Sequence, residues 1–222
     1  MDIKKIRLGV TNIYLIKGNN GYVMIDTGEP RKEKKFFKAL NRLNIKPQDI
    51  KLIIITHCHF DHVGSLAAIK DVINSPILIH PLEAKTVENA DVIIPPGTDI
   101  IGKILGAVGK KLTWFLAFKG IKAEKLYQDE YDLSTYGINA KVINTPGHTN
   151  GSLSIIFNDG RAIVGDLAMN YPLHSKFPIF AEEPDKVYES WKTLIEKGVK
   201  KIYPAHGNSF DSIEIVRLLG KK

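Results

Sequence analysis

Leu52-Ile53-Ile54-Ile55, entered at Lys51, is an unbroken apolar run that stops at Thr56-His57-Cys58-His59-Phe60-Asp61-His62. A short run without alternation suits a strand buried on both faces, so the sheet containing it must be covered on both sides. The end of that strand must also hold three histidines and one aspartate within six positions. A fold that satisfies both demands opens a polar site at the edge of a dry core.

The flanking sequence supplies more strands and helices. Asn12 to Ile16 and Tyr22 to Ile25 read as strands, with Gly18-Asn19-Asn20-Gly21 as the turn between them. Pro30 is expected to open a helix carrying Phe36, Phe37, Leu40 and Leu43 at helical spacing. A helix is expected from about Leu66 and a strand from Pro76 to His80. Later strands are read at Ala140 to Ile143, Leu153 to Phe157, Arg161 to Val164 and Lys201 to Tyr203. Helices fall at about Pro184 to Glu196 and after Ser209.

Residues 81 to about 122 differ in character. Two helices are expected, near Pro81 to Asn89 and Asp99 to Phe118, separated by Pro95-Pro96-Gly97. Trp114, Phe115, Leu116 and Phe118 crowd the second. This stretch reads as a helical lid inserted in one domain spanning residues 1–222, or as a packing element. Its apolar helix at 98–120 is also a candidate homodimer surface.

Two segments share a layout. Gly21 to Asp26 is a strand ending in an aspartate, followed by a helix and the strand that runs to His57. Gly160 to Asp166 is again a strand ending in an aspartate, followed by a helix and the strand that runs to His206. Open α/β sheets build their sites at such strand ends. The expectation is a pseudo-duplicated α/β (α+β) fold with the site at the seam.

Composition excludes several classes. Of 222 residues, 44% are apolar and 25% charged, the balance of a globular protein. The one cysteine, Cys58, rules out an internal disulfide. Lysines 103, 110, 111 and 119 divide the best membrane candidate, Ile100 to Ile121. Charge in the first seven residues interrupts any secretion signal. The net charge of +7 comes from scattered lysines rather than an arginine and aromatic stripe. A cytoplasmic protein acting on a small molecule, with neither nucleic acid nor membrane as partner, is expected.

Five of the seven histidines lie in strand-end motifs: His57, His59, His62, His148 and His206. Residues two apart in an extended segment face one side, so His57 and His59 can share an ion while Cys58 points away. Asp61 and His62 follow a change of direction and can reach a second ion. Asp166 is the natural bridge. The arrangement expected is His57, His59, His148 and Asp166 on one ion, and Asp61, His62, Asp166 and His206 on the other. Imidazole and carboxylate without thiolate suit zinc, and also iron or manganese. His80 and His174 read as ordinary histidines.

These motifs, with Gly147-His148-Thr149, Gly165-Asp166 and Ala205-His206-Gly207 in order, resemble the metallo-β-lactamase superfamily. The resemblance covers nearly the whole chain outside the 81–122 stretch. It implies a four-layer αβ/βα sandwich with internal duplication and a dinuclear zinc site. It also places Asp26, in Asp26-Thr27-Gly28, behind the metal loop, with Thr149 likewise beside His148. Asp61 would orient or relay a water proton.

Paired cations polarise a carbonyl and activate water near neutral pH, which points to hydrolysis of an ester, thioester or lactone. The later motifs resemble the glyoxalase II and lactonase side of the superfamily, and lactonases suggest a catalytic part for Tyr171. A mononuclear-iron persulfide dioxygenase, an RNase Z-like phosphodiesterase and an inactive binding member are the alternatives. Neither a basic tRNA-gripping arm nor the C-terminal glutathione-binding region of glyoxalase II is expected from this sequence.

Overall fold

A computed structural model describes residues 2–127, 129–172 and 174–221. Its first sheet is built from β1 (Ile3–Leu8), β2 (Thr11–Gly18), β3 (Gly21–Ile25), β4 (Ile50–Ile54), β5 (Ile77–Ile79) and β6 (Lys125–Leu126), in that spatial order. Helices α1 (Glu33–Arg42), α2 (Phe60–Val63), α3 (Leu66–Ile73), α4 (Pro81–Asn89), α5 (Ile100–Lys111) and α6 (Thr113–Leu116) belong to the same half of the chain. The second sheet runs β12-β11-β10-β9-β8-β7, from β7 (Glu130–Asp132), β8 (Ala140–Asn144), β9 (Leu153–Phe157), β10 (Arg161–Ile163), β11 (Lys201–Tyr203) and β12 (Phe210–Asp211). Helices α7 (Pro184–Glu196) and α8 (Ile213–Leu219) complete it.

Alternation along the strands makes the layers. Tyr14, Ile16, Val23, Ile25, Leu52 and Ile54 meet Val142, Ile155, Phe157 and Ile163 in a core between the sheets. The opposite faces carry Ile13, Leu15, Met24 and Ile53 against Phe36, Leu40, Leu66 and Ile69 of the helices. On the far side, Ala162 and Ile202 pack on Val187, Trp191, Leu194 and Ile215. Helix, sheet, sheet, helix is therefore the order of layers, as the four-layer reading expected. The parallel pairs β3 with β4 and β10 with β11 are each joined through a helix, α1 and α7, which is the duplicated layout seen in the sequence.

Several local expectations are corrected. Pro30 does not open α1, which begins at Glu33 with Lys32 before it. Pro30 instead meets Gly64, where a Cβ would lie 2.2 Å from the Pro30 nitrogen, and Arg31 has a φ of +62°. The expected 99–118 helix breaks at Leu112 into α5 and α6. Strand β1 was hidden because Lys4, Lys5 and Arg7 interleave its apolar residues, a pattern tolerated on a sheet edge. The short edge strands β6 and β7 carried no periodicity to read. Among the described residues no helix is long and apolar enough to cross a membrane.

Candidate metal centre

Strand ends of both halves deliver the site. Thr56 to His59 leave β4 in extended form, and the single turn of α2 carries Asp61 and His62. His148 lies in the 145–152 loop between β8 and β9. Asp166 follows β10 and His206 follows β11. Three groupings of ligand atoms, each within 4.8 Å, unite all seven: His57, His59 and His148; His57, His62 and Asp166; Asp61, His62 and His206. Every one of them is buried.

Ring orientation is set from behind. His62 Nδ1 faces Asp26 Oδ2 at 2.9 Å, so a protonated Nδ1 leaves the Nε2 lone pair aimed inward. His148 Nδ1 donates to the Phe180 carbonyl at 2.8 Å, which turns its Nε2 inward too. His206 Nδ1 lies 3.2 Å from the Val10 carbonyl and 2.9 Å from Tyr171 Oη. Its Nε2 then stands 3.2 Å from Asp61 Oδ2 and 3.3 Å from Asp166 Oδ2. Asp166 Oδ1 lies 3.3 Å from His62 Nε2, so this carboxylate spans both groupings. Thr11 donates its hydroxyl to Asp61 Oδ2 at 2.9 Å. The His206 loop is tied to β2 by Asn12 Nδ2, which donates to the Gly207 carbonyl at 2.7 Å, and by Tyr14 Oη, which donates to Pro204 at 2.7 Å.

Electrostatics divide the cluster. Burial, with His62 beside it, pushes His57 well below the usual imidazole range. Burial and the His148 ring push His59 down to about 3. Burial opposes the charge on His62, but Asp166, Asp26 and Asp61 outweigh it and raise that ring to about 10. Burial likewise opposes ionisation of Asp166, and the facing rings of His206 and His62 hold its carboxyl well below the usual range.

The residues fit a metal on their own geometry. His57 Nε2 and His59 Nδ1 lie 3.1 and 2.9 Å from His148 Nε2, so three ring nitrogens converge on one point. His62 Nε2 and Asp166 Oδ1 are buried with no hydrogen-bond partner. Buried polar atoms without partners are costly, and a cation among them removes the cost. The donor set of imidazoles and carboxylates is one that zinc, iron and manganese accept.

One expected contributor sits differently. Thr149 turns its hydroxyl to Ser152 Oγ at 2.8 Å and closes its own loop, so it touches no ring of the cluster. The Phe180 carbonyl takes the place behind His148. His80 caps α4 by accepting from the Leu82 N–H, and His174 Nε2 bonds Asp99 Oδ2 at 2.8 Å, so both lie outside the cluster. Cys58 does point away from its neighbours, into the helix-facing core.

One residue escaped the sequence entirely. Glu83, buried on α4, accepts from the Cys58 N–H with Oε2 and from the Gly151 N–H with Oε1, each at 3.0 Å. It thus ties the His57–His62 loop to the loop that carries His148. Gly151 permits this approach, since a Cβ there would lie 2.5 Å from Glu83 Oε1. No local pattern marks such a residue, because its partners lie 25 and 68 positions away.

A cavity of about 380 Å³ opens onto the cluster, with His59, Asp61, His148, Asp166 and His206 at its base. Leu105 and Val108 of α5, Leu112 at the break after it and Leu116 of α6 form one wall. A groove of about 580 Å³ near Glu130, Lys141 and Lys197 shares no residue with the cluster and mixes charged residues with Ile143, Ile156 and Phe157.

Two sheets sandwiched between helices, with a His/Asp cluster at the strand ends of both halves, define a metallohydrolase-type fold able to hold metal. The sequence matches the family model of the metallo-beta-lactamase superfamily over residues 6–206, and the chain belongs to that superfamily. It is 31% identical over 205 residues to a probable metallo-hydrolase of Methanocaldococcus jannaschii, covering 90% of this chain and 89% of that one. It is 24% identical over 198 residues to the beta-lactamase-like protein 2 homolog of Drosophila melanogaster, covering 89% of this chain but 59% of the fly protein. The fold matches the B3 metallo-beta-lactamase BLEG-1 at a TM-score of 0.75, with 20% identity, over 98% of this chain and 99% of that one. It also matches a protein solved in a di-iron-bound form, at a TM-score of 0.70 with 23% identity, over 96% and 97% of the two chains.

Proposed function

We propose that the protein is a dinuclear metal-dependent hydrolase of small esters, thioesters or lactones. The observation that carries this reading is the convergence of all seven donor residues in one buried cluster at the base of a cavity. His57, His59, His148 and Asp166 would hold one ion, and Asp61, His62, Asp166 and His206 the other, with Asp166 between them. Zinc is the ion proposed. The di-iron form of a structural neighbour makes iron the alternative to test. When bound, such a pair supplies an activated water and a polarised carbonyl near neutral pH.

The protein's own groups supply orientation and proton handling. Asp61, held by Thr11, accepts the proton of the attacking water. The His206 Nδ1–H directed at Tyr171 Oη leaves the tyrosine proton free for a substrate oxygen, since Tyr171 also lines the cavity. Asp26 and the Phe180 carbonyl keep His62 and His148 in the ligating tautomer.

Elemental analysis of protein purified without a metal-binding tag tests the ion. About two zinc per chain with turnover of a thioester or lactone is the expected result. One iron per chain with oxygen uptake on persulfides would replace the reading with the dioxygenase. Preferential cleavage of RNA would replace it with a phosphodiesterase.

A further inference from the structure

The cavity above the cluster has a lining that points to the substrate. Among the described residues that line it outside the cluster there is no charged side chain, no amide and no aliphatic hydroxyl; the polar handle among them is the Tyr171 phenol. Ile93, Ile94 and Pro95 form one side, Ile179, Phe180 and Met169 another. Along these walls, away from the cluster, a phosphate or carboxylate would have no cationic side chain to offset its desolvation. A nucleic-acid backbone or a glutathionyl group is therefore a poor occupant.

Helix α5 makes the remaining wall and is held firmly in place. Its residues Leu105, Val108 and Gly109, with Leu112 just past its end, recur at three- and four-residue spacing and face the cavity as one stripe. Asp99 caps the helix by accepting from the Gly102 N–H at 2.7 Å. Gly102 lies against the Ile179 carbonyl so closely that a Cβ would stand 2.1 Å from its oxygen. Lys103, Lys110 and Lys111 are absent from the lining.

This wall is left uncovered. Leu105, Val108 and Leu112 remain 48%, 50% and 42% exposed although they line a cavity that ends on a buried polar cluster. Apolar surface held open beside a reactive centre gains free energy when an apolar group covers it. Resting on the hydrolase reading above, we propose that the substrate's acyl group is an uncharged apolar chain. It lies along the α5 stripe opposite Phe180, with the carbonyl at the cluster. At roughly 30 Å³ per water-sized group, the cavity holds about a dozen such groups, which suits a short to medium chain.

Calorimetric titration of straight-chain carboxylates, acetate to decanoate, into the metal-loaded protein tests this without turnover. The expected result is a Kd that falls about fourfold per added methylene and then levels off where the cavity ends. Val108→Asn and Leu112→Asn replace half-exposed residues, so the fold should tolerate them, and each should cut the gain per methylene to under twofold. A flat series, or a slope unchanged in both variants, overturns the inference. Sloped binding with no hydrolysis of any ester, thioester or lactone would leave the cavity assignment standing and remove the hydrolase reading. Hydrolysis indifferent to chain length, with flat binding, would do the reverse.

Discussion

Asp26 Oδ2 lies 2.9 Å from His62 Nδ1, while the same carboxylate accepts from the Thr56 N–H at 2.8 Å. One buried side chain at the end of β3 thus fixes both the start of the metal loop and the ring farthest along it. Its φ of +60° is a conformation that asparagine tolerates, so Asp26→Asn should keep the backbone intact. With the amide oxygen retained by the Thr56 N–H, the NH2 takes the Oδ2 position and donates to His62 Nδ1, which favours the tautomer protonated at Nε2, and that nitrogen then cannot ligate. We expect metal affinity to fall about 10–100-fold, read by chelator competition. Unchanged affinity with a folded protein would remove Asp26 from this part.

Glu83 gives a second, independent test. Glu83→Ala leaves the Cys58 and Gly151 N–H groups buried without acceptors. Each costs about 1–3 kcal/mol, so a loss of about 2–6 kcal/mol in urea denaturation is expected. Glu83→Gln keeps one acceptor oxygen and should lose about half as much. If both variants match the parent, the two loops are held by other contacts.

How far the sequence disclosed this architecture depended on the range of the interaction. The apolar run before Thr56 and the short apolar stretches of β2, β8 and β9 are local, and they announced strands that the structure contains. The histidine and aspartate motifs sit at strand ends, so their place in the fold followed once the strands were read. Glu83 and the Phe180 carbonyl act through tertiary contacts and carry no local mark. Thr149 was misplaced for the same reason: proximity to His148 in sequence did not decide where its hydroxyl bonds. The break at Leu112 follows no proline, and helical spacing on either side concealed it.

Trp191 connects the outer core to the bridging carboxylate. It is fully buried, and its Nε1–H donates to the Leu167 carbonyl at 2.9 Å, one residue beyond Asp166. Trp191→Phe strands that carbonyl and should cost about 1–3 kcal/mol. Trp191→Ala adds a cavity and should cost about 3–5 kcal/mol. The other tryptophan, Trp114, is 74% exposed, so the blue-shifted emission of the folded protein should vanish in Trp191→Phe. Persistence of that emission would contradict the assigned environment.

Metal removal tests the centre as a whole. A ligand that binds only the folded state stabilises it by about 2.7 kcal/mol at a hundred times its Kd. At roughly 2–4 °C per kcal/mol for a chain of this size, chelation should lower Tm by roughly 5–10 °C, reversibly on returning zinc. The ring nitrogens of His57, His59 and His148 must be neutral to ligate, and burial already holds all three in that form. At these three rings competition from protons should begin only in acid, whereas His62 and His206, which the facing carboxylates raise against burial (His62 to about 10), must lose a proton to ligate, so the chelator-sensitive part of Tm should grow as pH rises through neutral and fade as the buffer is acidified. His59→Ala removes one of three converging nitrogens and should abolish most of that sensitive part. A parent protein whose Tm ignores both chelator and added metal would show that the cluster does not bind metal in solution.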